Sequence, residues 1–154
     1  MYVAIGDIMC KGMEKLHIEF EIPGAPVAKG RPKFSTYGGF PKAYTPAKTR
    51  NAEAFVKKCF LEQVKDFKMP NKGPIMLYIV FFMPVPTSIS KKKHKELVEK
   101  QAWHTKKPDL DNLVKLVNDA LNGVAWEDDG CISFTQAIKC YGATPKTCVE
   151  IDYL

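Results

Sequence analysis

Asp109 and Asp111 are separated by one residue, and Lys115 follows four residues after the second of them. Two carboxylates at that spacing, at a junction between loop and helix, can converge on one cation. Either could instead cap the helix, because Asp is favoured at helix starts. Capping accounts for one Asp better than for two. Lys115 lies one helical turn beyond Asp111 on the same face. It reads either as an exposed ion-pair partner or as a fixed cation that orients a phosphate and stabilises charge developing on it. A second acidic element, Asp128-Asp129, stands directly before Gly130. Its plainest reading is turn chemistry, since Asp-Gly is a common turn pair.

Phosphodiester hydrolysis needs such a set. The diester is an anion that repels an anionic nucleophile. A divalent ion held by carboxylates neutralises the phosphate, lowers the pKa of a bound water and stabilises the leaving oxygen. Magnesium prefers hard oxygen ligands and keeps several waters, so two or three carboxylates suffice, with manganese as the expected substitute. Zinc is not expected: none of the five cysteines forms a Cys-x-x-Cys pair, and no His stands at zinc spacing from one. Other motifs fail on detail. A calcium loop would need an oxygen ligand and then Gly where Leu113 and Val114 stand, and an aspartyl-phosphate site would follow an apolar strand rather than His104-Thr-Lys-Lys-Pro108. There is no Gly-x-x-x-x-Gly-Lys loop and no serine nucleophile motif.

Charge is unevenly spread. Residues 1–108 hold 20 Lys or Arg against 9 Asp or Glu, net +11, and residues 109–154 hold 3 against 8, net −5, which together give +6. A basic surface suits a polyanion. An acidic patch within it repels that polyanion unless a cation sits there. The cysteines read as free thiols of a cytosolic protein. The apolar run at 75–86 is too short to span a bilayer, and the start lacks a secretory signal. A cytoplasmic setting without membrane partners is expected.

The length of 154 residues suits one domain. Residues 1–14 show no clear period and read as an extension, with Met13 an alternative start, and the domain is placed at 15–154. Leu16, Ile18, Phe20 and Ile22 alternate with polar residues, which predicts a half-buried strand. Residues 24–46 are rich in Gly, Pro, Lys and aromatics and predict a long, hairpin-like loop. Lys29, Arg31 and Lys33 there suit phosphate contacts, and Phe34, Tyr37 and Phe40 suit stacking or wedging; a solvated loop explains them equally well. Thr45-Pro46 predicts a helix start with Thr as cap, running to about Val64. Asn71 to Pro74 reads as a turn and Ile75–Met83 as a buried strand. Ser90–Lys100 is a short charged helix, and Trp103–Pro108 a loop. Asp109–Asn122 is the clearest helix, with Leu110, Leu113, Val117, Ala120 and Leu121 on one face; Val114 and Leu116 widen that face toward a second buried contact. Strands follow at Ile132–Tyr141 and Thr147–Tyr153. The fold class is α+β, a small single domain with a mixed sheet and two main helices packed on it. A helix of fourteen residues is about 20 Å long, so this reading alone does not bring Asp129 back to Asp109.

Lys107-Pro-Asp-Leu-Asp-Asn-Leu-Val-Lys115, Asp119-Ala-Leu-Asn-Gly123 and Trp126-Glu-Asp-Asp129 together resemble the RusA family of Holliday-junction resolvases. Ile22-Pro-Gly-Ala-Pro-Val-Ala-Lys-Gly-Arg-Pro-Lys-Phe34 and Tyr44-Thr-Pro-Ala-Lys48 look like the amino-terminal part of its phage-type members. The resemblance covers most of 15–154. It implies a homodimeric, magnesium-dependent endodeoxyribonuclease that cuts four-way DNA junctions symmetrically in recombination and repair. It assigns metal binding and catalysis to Asp109, Asp111 and Asp129, with Lys115 as the essential lysine. The residue before the first Asp, often basic in the family, is Pro108 here, and Lys106 and Lys107 stand in for that charge as DNA contacts. Two alternatives stay open from residues alone: a non-catalytic basic DNA-binding module, and a less selective nuclease for branched DNA.

Overall fold

The computed structural model describes residues 16–36, 38–40, 42–70 and 73–154. The stretch expected to be an extension, 1–14, together with Tyr37 and the first part of the turn at Asn71, lies outside them. In chain order the elements are β1 (Leu16–Pro23), β2 (Lys33–Ser35), β3 (Lys42–Tyr44), α1 (Ala47–Gln63), β4 (Ile75–Met83), α2 (Lys91–Glu99), α3 (Leu110–Leu121), β5 (Ile132–Tyr141) and β6 (Lys146–Tyr153). A 3-10 turn at Asp129–Cys131 leads into β5.

The main sheet is four-stranded and mixed, in the order β1-β6-β4-β5. β6 runs antiparallel to β1 and β4, while β5 runs parallel to β4. Alternation decides which side is inside. Ile18, Phe20 and Ile22, then Ile75, Leu77, Ile79, Phe81 and Met83, then Val149 and Ile151, point into one core. Helices α1 and α3 cover that face with Val56, Cys59 and Phe60 and with Leu113, Leu116, Val117, Ala120 and Leu121. Phe60 meets Phe20 and Phe67 edge-on, with ring centroids 5.3 and 5.2 Å apart. Burying one such side chain stabilises by roughly 1.5–3 kcal/mol. This is the expected α+β architecture, with α2 as a third, peripheral helix whose start Ser90 caps by accepting from the Lys93 N–H.

One local expectation changes, and two further features come from the structure. Thr45 is not the cap of α1: Pro46 takes that position with no side-chain cap bond, and the first helical residue is Ala47. Proline's fixed φ enters the helix without help from Thr45. Within the long loop, β2 and β3 pair as a short antiparallel hairpin around Gly38 and Gly39, both at positive φ. Strands β5 and β6 are consecutive yet unpaired. The link between them crosses the end of β4, where the Gly142 N–H donates to the Met83 carbonyl. A Cβ at Gly142 would sit 2.8 Å from the Phe82 side chain, so that crossing requires glycine.

Candidate active site

Asp109 occupies the N-cap position of α3, in extended backbone conformation, and its side chain makes no cap hydrogen bond. Asp111 lies in the first turn. Among the described residues, neither carboxylate is engaged in an ion pair. The capping role that would have used one of them up is not performed, and both carboxylates stand at the positive end of the helix dipole. Lys115 is more than half exposed and turns toward Asp119, 3.4 Å away, rather than back to Asp111. At that distance and exposure the pair is weak, so the ammonium can swing to a substrate. Asp111, Lys115 and Asn118 line one wall of a shallow open groove together with Leu110 and Val114, and Thr135 and Ala137 of β5 form the other wall. The Oδ1 of Asn118 is buried without a partner. Leu116 does not face this groove; it packs in the core, where residues 22–27 close over it. The second buried contact expected from the wide apolar arc is thus partly made within the chain, and Val114 alone remains for the groove.

The loop before Asp109 is clamped. The Lys139 ammonium, on β5, donates to the carbonyls of Lys106 and Pro108, each at 2.6 Å. His104 donates its N–H to the Lys139 carbonyl and lies edge-on to Tyr141, and Tyr141 donates its N–H to the Ala102 carbonyl. Burial, with the nearby Lys139 charge adding to it, holds the His104 imidazole below the usual histidine range. No local pattern marks Lys139 in the sequence, because its partners lie some thirty residues away.

Lys29 is differently employed from Arg31 and Lys33. Its ammonium binds Asp119 at 2.7 Å and also Glu53, with only 22% of the side chain exposed. Burial opposes its charge, but the hydrogen bonds and charges of Asp119 and Glu53 outweigh burial and hold it above the usual lysine range. The Lys29 N–H donates to the Asn112 carbonyl, and the Gly30 N–H to the buried Thr49 hydroxyl. The loop is therefore tied to both α1 and α3, close behind the acidic turn. Arg31, Lys33, Lys106 and Lys107 are exposed. Phe34 and Phe40 on the hairpin are also exposed, as is Trp103, which the sequence reading passed over.

Asp129 stands elsewhere. After α3 the chain turns back on the helix end: the Gly123 N–H donates to the Trp126 carbonyl, and the buried Trp126 indole N–H donates to Asn122 Oδ1 at 2.7 Å. The Asp128 carbonyl then accepts from the Cys131 N–H, and Ile132 pairs beside Ile75 at the start of β4. Two rulers separate this turn from Asp109. One is α3, twelve residues, or about 18 Å. The other is β5 from Ile132 to Lys139, about 23 Å, since Lys139 touches the Asp109 end. Asp109 and Asp111 suit a hard divalent cation by donor type, but among the described residues no three His, Cys, Asp or Glu side chains gather to hold one. The same chain does not bring its third carboxylate to the first two.

The family described as Endodeoxyribonuclease RusA matches residues 23–152. A relative from Bacillus subtilis (strain 168), the uncharacterized protein YqaN, is 35% identical over 136 residues, covering 87% of this chain and 94% of its own.

Proposed function

This chain belongs to the RusA endodeoxyribonuclease family, and from that premise we propose that it is a divalent-metal-dependent nuclease that resolves four-way DNA junctions by paired, symmetric phosphodiester cleavage in recombination and repair. The observation that carries the reading is the pair of uncommitted carboxylates at the start of α3, beside the exposed, weakly paired Lys115 ammonium that lines an open groove. Asp109 and Asp111 would hold magnesium, which manganese can replace, and Asp129 would be the third ligand that the family assigns. A bound divalent ion supplies charge neutralisation at the phosphate and activation of the attacking water. Lys115 swings from Asp119 to the scissile phosphate and stabilises the charge that develops there. Lys139 holds the backbone ahead of Asp109, so both carboxylates meet the substrate at a fixed depth.

Arg31, Lys33, Lys106 and Lys107 contact DNA phosphates, and Phe34 and Phe40 stack on bases opened at the junction. Lys29 serves the same surface by anchoring the loop that carries Arg31 and Lys33. The enzyme is a homodimer, since symmetric cutting needs two sites related by a twofold axis. No helix among the described residues is long and apolar enough to cross a membrane, and the cytoplasm is the proposed setting.

The test is a cleavage assay on a four-way junction, with duplex, flap and fork DNA beside it at one salt concentration. Wild type should give paired nicks with magnesium and none with EDTA. Asp111→Asn should cut at least about a hundredfold more slowly, the loss of roughly 3 kcal/mol of transition-state stabilisation, while still binding the junction. Wild-type cutting by Asp111→Asn refutes the site, and equal cutting of every branched substrate refutes the junction preference.

A further inference from the structure

Lys115 stands between two carboxylates on α3, and it pairs with the less expected of them. We propose that Asp119 is a positioning residue: anchored by Lys29, it holds the Lys115 ammonium away from Asp111, so that Asp111 stays available to a divalent ion. This rests on the proposed function for the identity of that ion, but the choice of partner by Lys115 is argued independently.

Asp111 lies four residues before Lys115 and Asp119 four residues after it. Along the helix axis the two acids are about 12 Å apart, so the ammonium pairs with one or the other. Two general preferences favour Asp111. A helical side chain leaves the backbone leaning toward the N-terminus, which carries Lys115 toward Asp111. An acid four residues ahead of a lysine also makes a better pair than the reverse order. Lys115 nevertheless turns to Asp119, at 3.4 Å.

The reason lies in Lys29. Its ammonium reaches α3 from the basic loop and binds Asp119 Oδ2 at 2.7 Å, while Lys115 uses Oδ1 of the same carboxylate. Lys29 also binds Glu53 of α1. One ammonium against two carboxylates leaves one negative charge over, and Lys115 balances it. The Lys29 N–H donates to the Asn112 carbonyl, which fixes the anchor against the same helix that carries Asp111. Only 22% of the Asp119 side chain is exposed, against 59% of Lys115. Because Asp119 is already held, the pair orders one long side chain rather than two. Asp111 is exposed and has no such anchor among the described residues.

The consequence concerns competition. A lysine paired with Asp111 places a positive charge where the divalent ion binds, and the ion must displace it. Holding Lys115 one turn further along removes that competitor. It also keeps the ammonium on the wall of the groove, beside Asp111 and Asn118.

The first test reads manganese binding without DNA, by electron paramagnetic resonance at low salt. Asp119→Asn should bind manganese at least about threefold more weakly than wild type, the competition expected from one exposed ion pair. Loss of the Asp119 charge also acts through space on any cation. The comparison is therefore repeated with Lys115→Met in both proteins, where Asp119→Asn should weaken binding by less than about twofold. Equal losses in the two backgrounds, or no loss in either, overturn the proposal. Crystals give the second test. In metal-free Asp119→Asn, Lys115 should move within ion-pair reach of Asp111. In wild type it should stay on Asp119 before and after manganese binds, a check that needs no variant to fold. Lys115 seated on Asp111 in metal-free wild type overturns the proposal as well. Should wild type bind no manganese and cut no junction while Lys115 still crosses to Asp111 in the Asp119→Asn crystal, the functional reading fails and the holding role of Asp119 stands.

Discussion

At the scale of single residues, the structure separates charges that look alike in the sequence. Lys29 and Lys33 are neighbours on one basic loop, yet Lys29 is spent on Asp119 and Glu53 while Lys33 is exposed. Lys115 has its weak partner one turn forward, at Asp119, so Asp111 is left for other work. His104 carries a consequence for acid stability. Burial, then the Lys139 charge, lowers its pKa in the folded chain, whereas the unfolded chain takes up the proton near the ordinary value of about 6.5. Below that pH the unfolded state binds more protons, so stability is full above it and declines as pH falls toward the depressed folded value. His104→Phe keeps a ring against Tyr141 and removes the titration. The urea midpoint of wild type should fall relative to this variant below about pH 6.5, at no more than about 1.4 kcal/mol per pH unit for one proton. Parallel curves from pH 8 to pH 5 would show that His104 titrates normally.

At the scale of elements, periodicity made α3 legible almost to the residue, because one face had to meet the core and Gly123 had to end it. Strand β1 was equally plain from its alternation. Other features were hidden for physical reasons. The separation of β5 from β6 is decided by which strands meet beside β4, a long-range matter, and the only local trace is Gly142 passing over Phe82. The clamp on the 106–108 loop is likewise a contact across some thirty residues, between a strand lysine and two carbonyls. The placement of Asp109 and Asp111 together at the start of α3 was readable from spacing, whereas the position of Asp129 depends on the corner built by Asn122, Gly123 and Trp126. The clamp makes a prediction that belongs to this scale. Lys139→Met removes two hydrogen bonds to backbone carbonyls and should destabilise by about 1–3 kcal/mol. Because Pro108 directly precedes Asp109, the variant should also need several-fold more magnesium for half-maximal cutting, with near-normal turnover at saturation. An unchanged magnesium requirement would reduce Lys139 to a purely structural lysine.

At the scale of the whole molecule, the uneven charge is the feature that joins fold to substrate. The first 108 residues carry a net +11 and the remainder −5, and the acidic part reaches the groove through Asp111, with Asp109 beside it at the start of α3. Under the proposed function, DNA drawn to the basic loops lays a phosphate against those carboxylates. Two unit charges about 4–5 Å apart in water repel by roughly 1 kcal/mol, and more in a site that excludes solvent. Without a divalent ion the protein therefore works against its own binding. Asp109→Asn combined with Asp111→Asn removes that repulsion while keeping shape and hydrogen-bonding capacity. In EDTA the double variant should bind a four-way junction about five- to tenfold more tightly than wild type, the equivalent of roughly 1–1.4 kcal/mol. Calcium should narrow the gap by tightening wild type alone. The salt dependence of binding should stay nearly the same in both proteins, since the lysines and arginine proposed to contact phosphates and release counterions are untouched. A double variant that binds no better than wild type in EDTA would mean that the phosphate never approaches Asp109 and Asp111, and would place the DNA on another face of the molecule.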